Sequence, residues 1–251
     1  MTMSGLYELD IAVNTLIPAT PLDHPHATKR VVYRIHTPGE DAASLFVDGG
    51  TQQVRKIDRE TVEVTVTARS IPKSSGRVQA AAEFTGPTPL LQSDDRRVRD
   101  HLNRAVSPDR SNADAARALE KYVYEKLSTK NFSTAFASAA EVAETLEGDC
   151  SEHAVLLAAL LRARGIPSRI VVGLVYVPGQ NKMGGHMWTE ALFDDGWVPL
   201  DATLGQGGIG CGHLKVAESS LADNAPLPVM SFMPLLSLGA ETKIDVMKVE
   251  R

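Results

Sequence analysis

The chain has 251 residues and a hydrophobic content of 43%, enough to bury a full core in one large or two small domains. It carries 26 Lys and Arg against 31 Asp and Glu, which gives a net charge of −5 and a pI of about 5.8. No basic run of the kind that follows phosphates occurs, so we expect no binding to nucleic acid. The longest apolar runs, of about eight residues, are too short for a membrane span.

The first part of the chain has the pattern of a small β module. Residues 31–35, 53–57 and 61–67 alternate between apolar and polar side chains, and β-branched residues are frequent in the last of these segments. Turn residues separate the segments. We therefore predict a β-rich N-terminal module over residues 1–90.

The second part, residues 91–251, mixes helices and strands. Helical patterns cover residues 94–106 and 112–127, and a short helix should follow Ser138, with which Glu141 forms a capping-box pattern. Strands are predicted at the ranges 169–177, 186–193, 197–201 and 241–249. Together these elements predict an α+β domain.

Cys150 lies at the predicted start of a helix. Asp149 can serve as the N-cap, and Glu152 three residues later completes a capping-box pattern. The run 154–161 is apolar on every face, which predicts a buried helix. Unpaired N–H groups and the helix dipole at this position favour a thiolate and could bind an oxyanion. A buried, inert cysteine is the alternative for this residue taken alone.

A predicted β-hairpin follows and carries a histidine and an aspartate. Residues 188–193 alternate, residues 194–196 are typical of a turn, and residues 197–201 return. If the loop has two residues, Asp201 is the diagonal neighbour of His186 on the same face of the sheet. A carboxylate beside a histidine fixes its tautomer and stabilises the imidazolium. Cysteine, histidine and aspartate in this arrangement predict an activated thiol nucleophile.

The stretches 148–176, 184–206 and, more loosely, 212–219 resemble the transglutaminase-like superfamily, specifically its bacterial branch of cysteine proteases and amidases. The resemblance implies a papain-like fold over the catalytic part of the chain. It implies that Cys150 is the nucleophile, His186 the general base and acid, and Asp201 the orienting residue. We expect a peptide or protein substrate and acyl transfer from an amide through a thioester to water. Transamidation to a lysine amine and a non-enzymatic peptide-binding scaffold are the alternatives.

The remaining expectations concern groups around this site. One oxyanion donor should be the backbone N–H of Cys150, and Asn131, with Tyr122 and Lys130 as alternatives, is a candidate for the second. Trp188 should share a face with His186 and line the substrate channel. The spacing of Cys211 and His213 matches no common zinc pattern, so we expect no metal and no cofactor, and a structural or supporting role for His213.

The start of the sequence shows no charged segment followed by an apolar stretch, so no signal peptide is visible. Two cysteines leave the redox compartment open. Bacterial proteins of the resembled family are often exported. We therefore expect a periplasmic or secreted protein if a signal has been removed, and a cytoplasmic protein otherwise.

Overall fold

The structure, a computed structural model, describes residues 16–73, 75–76, 78–128, 137–205, 209–222, 233–239 and 241–251. In these ranges the strands form two antiparallel sheets and the helices pack around one of them. The architecture is therefore of the predicted α+β class. Of the helices in the described ranges, none has the length and hydropathy of a membrane span.

The strands divide between a five-stranded and a four-stranded sheet. In chain order they are β1 (Ile17–Pro18), β2 (Arg30–His36), β3 (Gln52–Lys56), β4 (Thr61–Thr67), β5 (Ser168–Val177), β6 (Lys182–Phe193), β7 (Gly196–Leu200), β8 (His213–Ser219) and β9 (Lys243–Glu250). The larger sheet has the order β1-β6-β5-β8, with β7 also paired to β6. The smaller sheet has the order β3-β4-β2-β9.

The smaller sheet confirms the strands predicted in the first part of the chain. Its strand β4 alternates as predicted, with Val62, Val64 and Val66 buried and Glu63 and Thr65 between them more exposed. The predicted C-terminal strand is also present, as β9, and it pairs with β2. Strand β1, conversely, pairs with β6 of the larger sheet. The boundary near residue 90 stays a prediction.

Five α-helices lie in the described ranges, and side-chain caps explain where the first four of them begin. They are α1 (Arg96–Ala105), α2 (Asn112–Lys126), α3 (Ala139–Thr145), α4 (Cys150–Ala163) and α5 (Met233–Ser237). Asp95 and Ser111 cap α1 and α2 through backbone N–H groups of the first turn. At α3 and α4 the predicted capping boxes of Ser138 with Glu141 and Asp149 with Glu152 are formed.

Helix α4 is the centre of the hydrophobic core. Its residues from Cys150 to Arg162 are buried, as the apolar run predicts, and it packs against helices α1, α2 and α3 and strands β5 and β6. The Thr189 hydroxyl of β6 donates to the Ala154 carbonyl of α4 at 2.9 Å. Because side chains alternate along a strand, Trp188 and Glu190 lie on the opposite face of β6, towards the smaller sheet. The larger sheet is thus covered on both faces.

Candidate active site at the start of helix α4

Cys150 is the first residue of α4 and only 1% exposed. The Asp149 carboxylate accepts from the Ser151 N–H at 2.8 Å and, within the capping box, from the Glu152 N–H. In return the Glu152 carboxylate accepts from the Asp149 N–H at 3.0 Å. These contacts fix the first turn of the helix and therefore the position of the sulfur.

Glu152 also connects the helix start to the segment that precedes α3. Its Oε1 accepts a hydrogen bond from the Ala137 N–H at 3.1 Å. Burial, together with the neighbouring Asp149 carboxylate, raises the pKa of Glu152 to about 7. The cap of the cysteine helix therefore changes its charge near neutral pH.

The hairpin of β6 and β7 has the predicted two-residue turn, with Phe193 opposite Gly196. Strand β1 pairs with residues 182–183 of β6, and β7 pairs with residues 189–193. His186 lies in the interval between these two partners. On this side, neither β1 nor β7 therefore pairs with β6 at His186, and the imidazole lies at this open edge of the sheet.

Asp201 directly follows β7 and is brought against His186. Its Oδ2 lies 2.8 Å from His186 Nε2, and both side chains are buried. The other oxygen, Oδ1, accepts from the backbone N–H groups of Thr203 at 2.9 Å and Leu204 at 3.3 Å. The carboxylate is thus fixed by the local backbone while it holds the histidine.

His153 lies in the first part of α4 and is influenced by this pair. Its Nδ1 donates to the Asp149 carbonyl at 2.6 Å. Burial lowers the pKa of His153; the helix hydrogen bond and the Asp201 charge act in the opposite direction, and His186 adds to the lowering. His186 and Asp201 therefore both lie within electrostatic range of His153, in the first part of the cysteine helix.

A third buried group, His213, contacts the same carboxylate. Its Nε2 lies 3.0 Å from Asp201 Oδ2, the oxygen that also faces His186. Burial alone would raise the pKa of Asp201, but the two histidines lower it well below its usual range. Asp201 is therefore a carboxylate at neutral pH, and both rings turn a nitrogen towards it.

Burial lowers the pKa of His213, against the effect of Asp201. His26, whose ring centroid is 5.4 Å from that of His213, has its pKa lowered to about 3 by burial and then by His213. Both rings are therefore neutral at neutral pH. Sequence reasoning gave His213 only a possible supporting role and did not single out His26, because no local pattern connects either residue with Asp201.

Trp188 shares a face with His186, as predicted. Their rings are stacked with centroids 6.3 Å apart and planes 23° apart, and the indole meets His213 edge-on at 5.0 Å. Trp188 is 3% exposed, and its Nε1 has no hydrogen-bond partner among the described residues. The indole therefore forms one wall of the histidine cluster.

Of the other oxyanion candidates, only Tyr122 lies in the described residues. Asn131 and Lys130 lie outside the described residues. The Tyr122 hydroxyl lies 2.7 Å from His101 Nδ1, a contact between helices α2 and α1. The Tyr122 hydroxyl is therefore engaged in the contact between the two helices and not in the candidate site.

Glu120, which sequence reasoning also missed, supports Asp201 from α2. Its Oε1 accepts from the Asp201 N–H at 3.0 Å, and the residue is 1% exposed. It follows Ala113 and Ala116 and precedes Val123 on the buried stripe of the helix. The sequence did contain a signal for this residue, because a carboxylate on an otherwise apolar helix face indicates a buried polar contact.

One group of side chains in the described ranges could hold a metal ion. It consists of His186, Asp201 and His213, whose ligand atoms lie within 4.8 Å of one another. Imidazole and carboxylate ligands suit zinc and related ions. Cys211 belongs elsewhere, because its thiol donates to the Thr28 carbonyl at 3.1 Å. Hydrogen bonds to Asp201 account for the trio without an ion.

Comparisons with known proteins bear on the family and the fold of the chain. Residues 100–202 match the family model of the transglutaminase-like superfamily. A comparison with curated protein sequences gave no match. Among solved structures, a "Putative Cysteine Protease from Cytophaga hutchinsonii" has a TM-score of 0.55 at 16% identity, covering 90% of this chain and 86% of that chain.

Two further structures are more distant. The periplasmic domain of TgpA from Pseudomonas aeruginosa, bound to ethylmercury, has a TM-score of 0.47 at 14% identity, covering 82% of this chain and 95% of that chain. Red sea bream transglutaminase has a TM-score of 0.38 at 11% identity, covering 73% of this chain and 48% of that chain. The family match at residues 100–202 and the fold shared with the protein from Cytophaga hutchinsonii confirm the resemblance to the transglutaminase-like superfamily seen in the sequence.

Proposed function

We propose that the protein transfers the acyl group of an amide or peptide through a thioester on Cys150. The Cys150 thiolate attacks the carbonyl carbon, the C–S bond forms, and the C–N bond breaks as His186 gives its proton to the leaving amine. Water then attacks the thioester, His186 takes a proton from it, and the carboxylic acid leaves. The thiol is regenerated at the end of the cycle.

The observation that carries this proposal is the buried contact of 2.8 Å between His186 Nε2 and Asp201 Oδ2. The carboxylate holds the Nε2–H tautomer and stabilises the imidazolium that forms during the reaction. We assign the other nitrogen, Nδ1, to proton exchange with the thiol and the leaving group. A scaffold without catalysis would have no need of such a pair beside a cysteine.

For the oxyanion we propose the backbone N–H of Cys150 as one donor. The N–H groups of Ser151 and Glu152 are excluded from this role because they donate to the Asp149 carboxylate. Asn131 and the Trp188 indole are the candidates for a second donor. Trp188 is supported by its position against His186 and by its buried Nε1.

The substrate class follows from the chemistry of the site. A thiolate with an imidazolium partner acts on carbonyl groups whose leaving group needs a proton, and peptides and glutamine side chains are such substrates. We propose hydrolysis as the main reaction, with water as acceptor. An amine acceptor would give transamidation through the same thioester.

The experiment is product analysis by mass spectrometry. The protein is incubated with a glutamine-containing peptide library, with and without a primary amine. Hydrolysis or deamidation in both samples supports the proposal, and a product that carries the amine identifies a transamidase. Cys150→Ala should abolish both products, since no other group forms the thioester. Products that persist at wild-type rates in Cys150→Ala would contradict the proposed nucleophile.

Asp201→Asn tests the orienting residue. We expect turnover to fall by about two to four orders of magnitude, because the amide does not stabilise the imidazolium and permits the wrong tautomer. Since Asp201 is 1% exposed and accepts several hydrogen bonds, the variant should also be less stable, by about 1–3 kcal/mol. Turnover and thermal melts are measured together. A folded variant with wild-type turnover would remove Asp201 from the mechanism.

A further inference from the structure

His213 and His186 lie on the two strands that flank β5. Residue Gly173 of β5 pairs with His186, and Val175 pairs with His213. Two residues along a strand share a face, so the two histidines are diagonal neighbours across β5. A side chain at Gly173 would collide with the Leu214 carbonyl and the Trp188 ring, so only glycine leaves room for these two groups at this position.

The hydrogen bonds around Asp201 determine where the protons are. An ionised carboxylate only accepts, so a nitrogen at 2.8 or 3.0 Å from Oδ2 must carry a proton. A neutral His213 is therefore the Nε2–H tautomer. Its Nδ1 is buried and has no hydrogen-bond partner in the part of the chain that the structure describes. The one polar contact of this ring in those ranges is with Asp201.

We propose that His213 is a positioning residue for the reaction, because it holds the Asp201 carboxylate in place. By donating to the same oxygen as His186, it also weakens the hydrogen bond between that oxygen and the Nε2 proton of the His186 imidazolium. This inference rests on the proposed function, because the strength with which Oδ2 holds the Nε2 proton of His186 sets how readily the imidazolium gives its other proton, on Nδ1, to the leaving amine. With a single donor on Oδ2, Asp201 would stabilise the His186 imidazolium more strongly, and the ring would release its Nδ1 proton less readily.

The surroundings of His213 preserve this arrangement. Trp188 and His26 meet the ring edge-on from two sides, at centroid distances of 5.0 and 5.4 Å, and fix its orientation. His26 is neutral, since burial lowers its pKa to about 3, so it adds no charge. Asp201 and His186 face the ring directly.

Other titratable groups lie close by. On the side of the smaller sheet, Lys215 and Glu190 line a small cavity with His213 and pair with each other at 3.2 Å. On the side of the helices, Glu120 contacts the Asp201 backbone and His153 lies near Asp201 and His186. A titration of His186 must therefore be compared between matched variants of His213 that leave all these groups in place.

The test compares His213→Asn with His213→Gln. The Gln amide reaches the place of Nε2 and can donate to Asp201, whereas the Asn amide reaches only the place of Nδ1. In His213→Asn we expect the pKa of His186, followed by nitrogen-15 NMR of the histidine rings, to rise by about one unit. The basic limb of the kcat profile should move with it, and kcat should fall about tenfold with KM little changed. In His213→Gln both quantities should stay near wild type.

Controls separate this proposal from the proposed function. His36→Gln, on strand β2 of the other sheet, should leave the His186 titration unchanged. If His213→Asn does not fold, His213→Phe replaces it, because it fills the space without a donor. An unchanged His186 titration, or equal shifts in the Asn and Gln variants, would overturn the role of His213. A shifted titration in a protein without any amide turnover would overturn the proposed function and leave the coupling established.

Discussion

At the scale of single residues, the site depends on two buried carboxylates with opposite behaviour. The histidines lower the pKa of Asp201 well below its usual range despite its burial, so this group keeps its charge through neutral pH. Burial and Asp149 raise the pKa of Glu152 to about 7. Asp201 thus keeps a negative charge beside His186, whereas Glu152 makes the cap of the cysteine helix sensitive to pH.

Glu152→Gln tests this difference through stability. In the folded protein Glu152 keeps its proton up to about pH 7, whereas the unfolded chain loses it near 4.5. The folded state therefore binds more protons in this window, and its stability falls as the pH rises. The variant has no such proton, so its stability relative to wild type should increase by about 2 kcal/mol between pH 4.5 and 7.5. Denaturant unfolding at a series of pH values measures this.

Glu141→Gln is the matched control, since Glu141 has the same capping-box position in α3. Hydrogen bonds from Ser138 lower the pKa of Glu141, so its contribution is present above its unfolded pKa and is lost only at more acidic pH. The stability of Glu141→Gln relative to wild type should not increase over the same window. Parallel pH dependence of both variants would contradict the raised pKa of Glu152.

At the scale of elements, strand β5 has to pass between two strands that carry histidines. A Cβ at Gly173 would lie 2.0 Å from the Leu214 carbonyl oxygen of β8 and 2.8 Å from Cη2 of Trp188. The β5–β8 register shifts between Val172 and Gly173, so the close approach coincides with a bulge. The glycine is required by the spacing of the strands, not by a turn.

Gly173→Ala should therefore disturb both stability and the site. We expect a loss of about 1–3 kcal/mol from overpacking, together with reduced turnover because β8 carries His213. Gly239→Ala is the control, since an added Cβ there would have no neighbour within 4 Å. Thermal melts and turnover are measured for both variants. Equal melting temperatures for the two variants would show that β8 can move away without cost.

Local patterns predicted much of this architecture, and the reason is physical. The capping boxes of α3 and α4 and the two-residue turn of the β6–β7 hairpin depend on neighbours in sequence, so they were predicted correctly. The pairing of β9 with β2 and of β8 with β5 depends on distant parts of the chain. For this reason His213 could not be assigned to Asp201 from sequence, although the contact between His186 and Asp201 was expected.

At the scale of the whole molecule, the smaller sheet supports the strand that carries His213. The Gln52 side chain of β3 donates to the Lys215 carbonyl at 2.8 Å and accepts from the Lys215 N–H at 2.8 Å. A side-chain amide thus satisfies the backbone of β8 as a neighbouring strand would. Gln52 is 1% exposed, so this link is shielded from water.

Gln52→Ala should cost about 1–3 kcal/mol, because it leaves the buried Lys215 N–H without its acceptor and removes one of the two donors to the Lys215 carbonyl, the other being the Val47 N–H. Gln53→Ala is the control, since Gln53 is the exposed neighbour on the same strand. Denaturant unfolding gives both free energies, and hydrogen exchange of the Lys215 amide should be faster in Gln52→Ala only. Equal stability of the two variants would mean that the sheets do not depend on this contact.

The central claim is that Cys150 is an activated thiol, and a comparison of its alkylation with that of Cys211 tests it without knowledge of the substrate. Both cysteines are buried thiols, but burial raises the pKa of Cys211 to about 11. With iodoacetamide near neutral pH, followed by peptide mapping, Cys150 should react much faster than Cys211. His186→Ala should slow Cys150 and leave Cys211 unchanged. Equal, slow labelling of both cysteines in the folded wild-type protein would contradict the account and make Cys150 a structural residue.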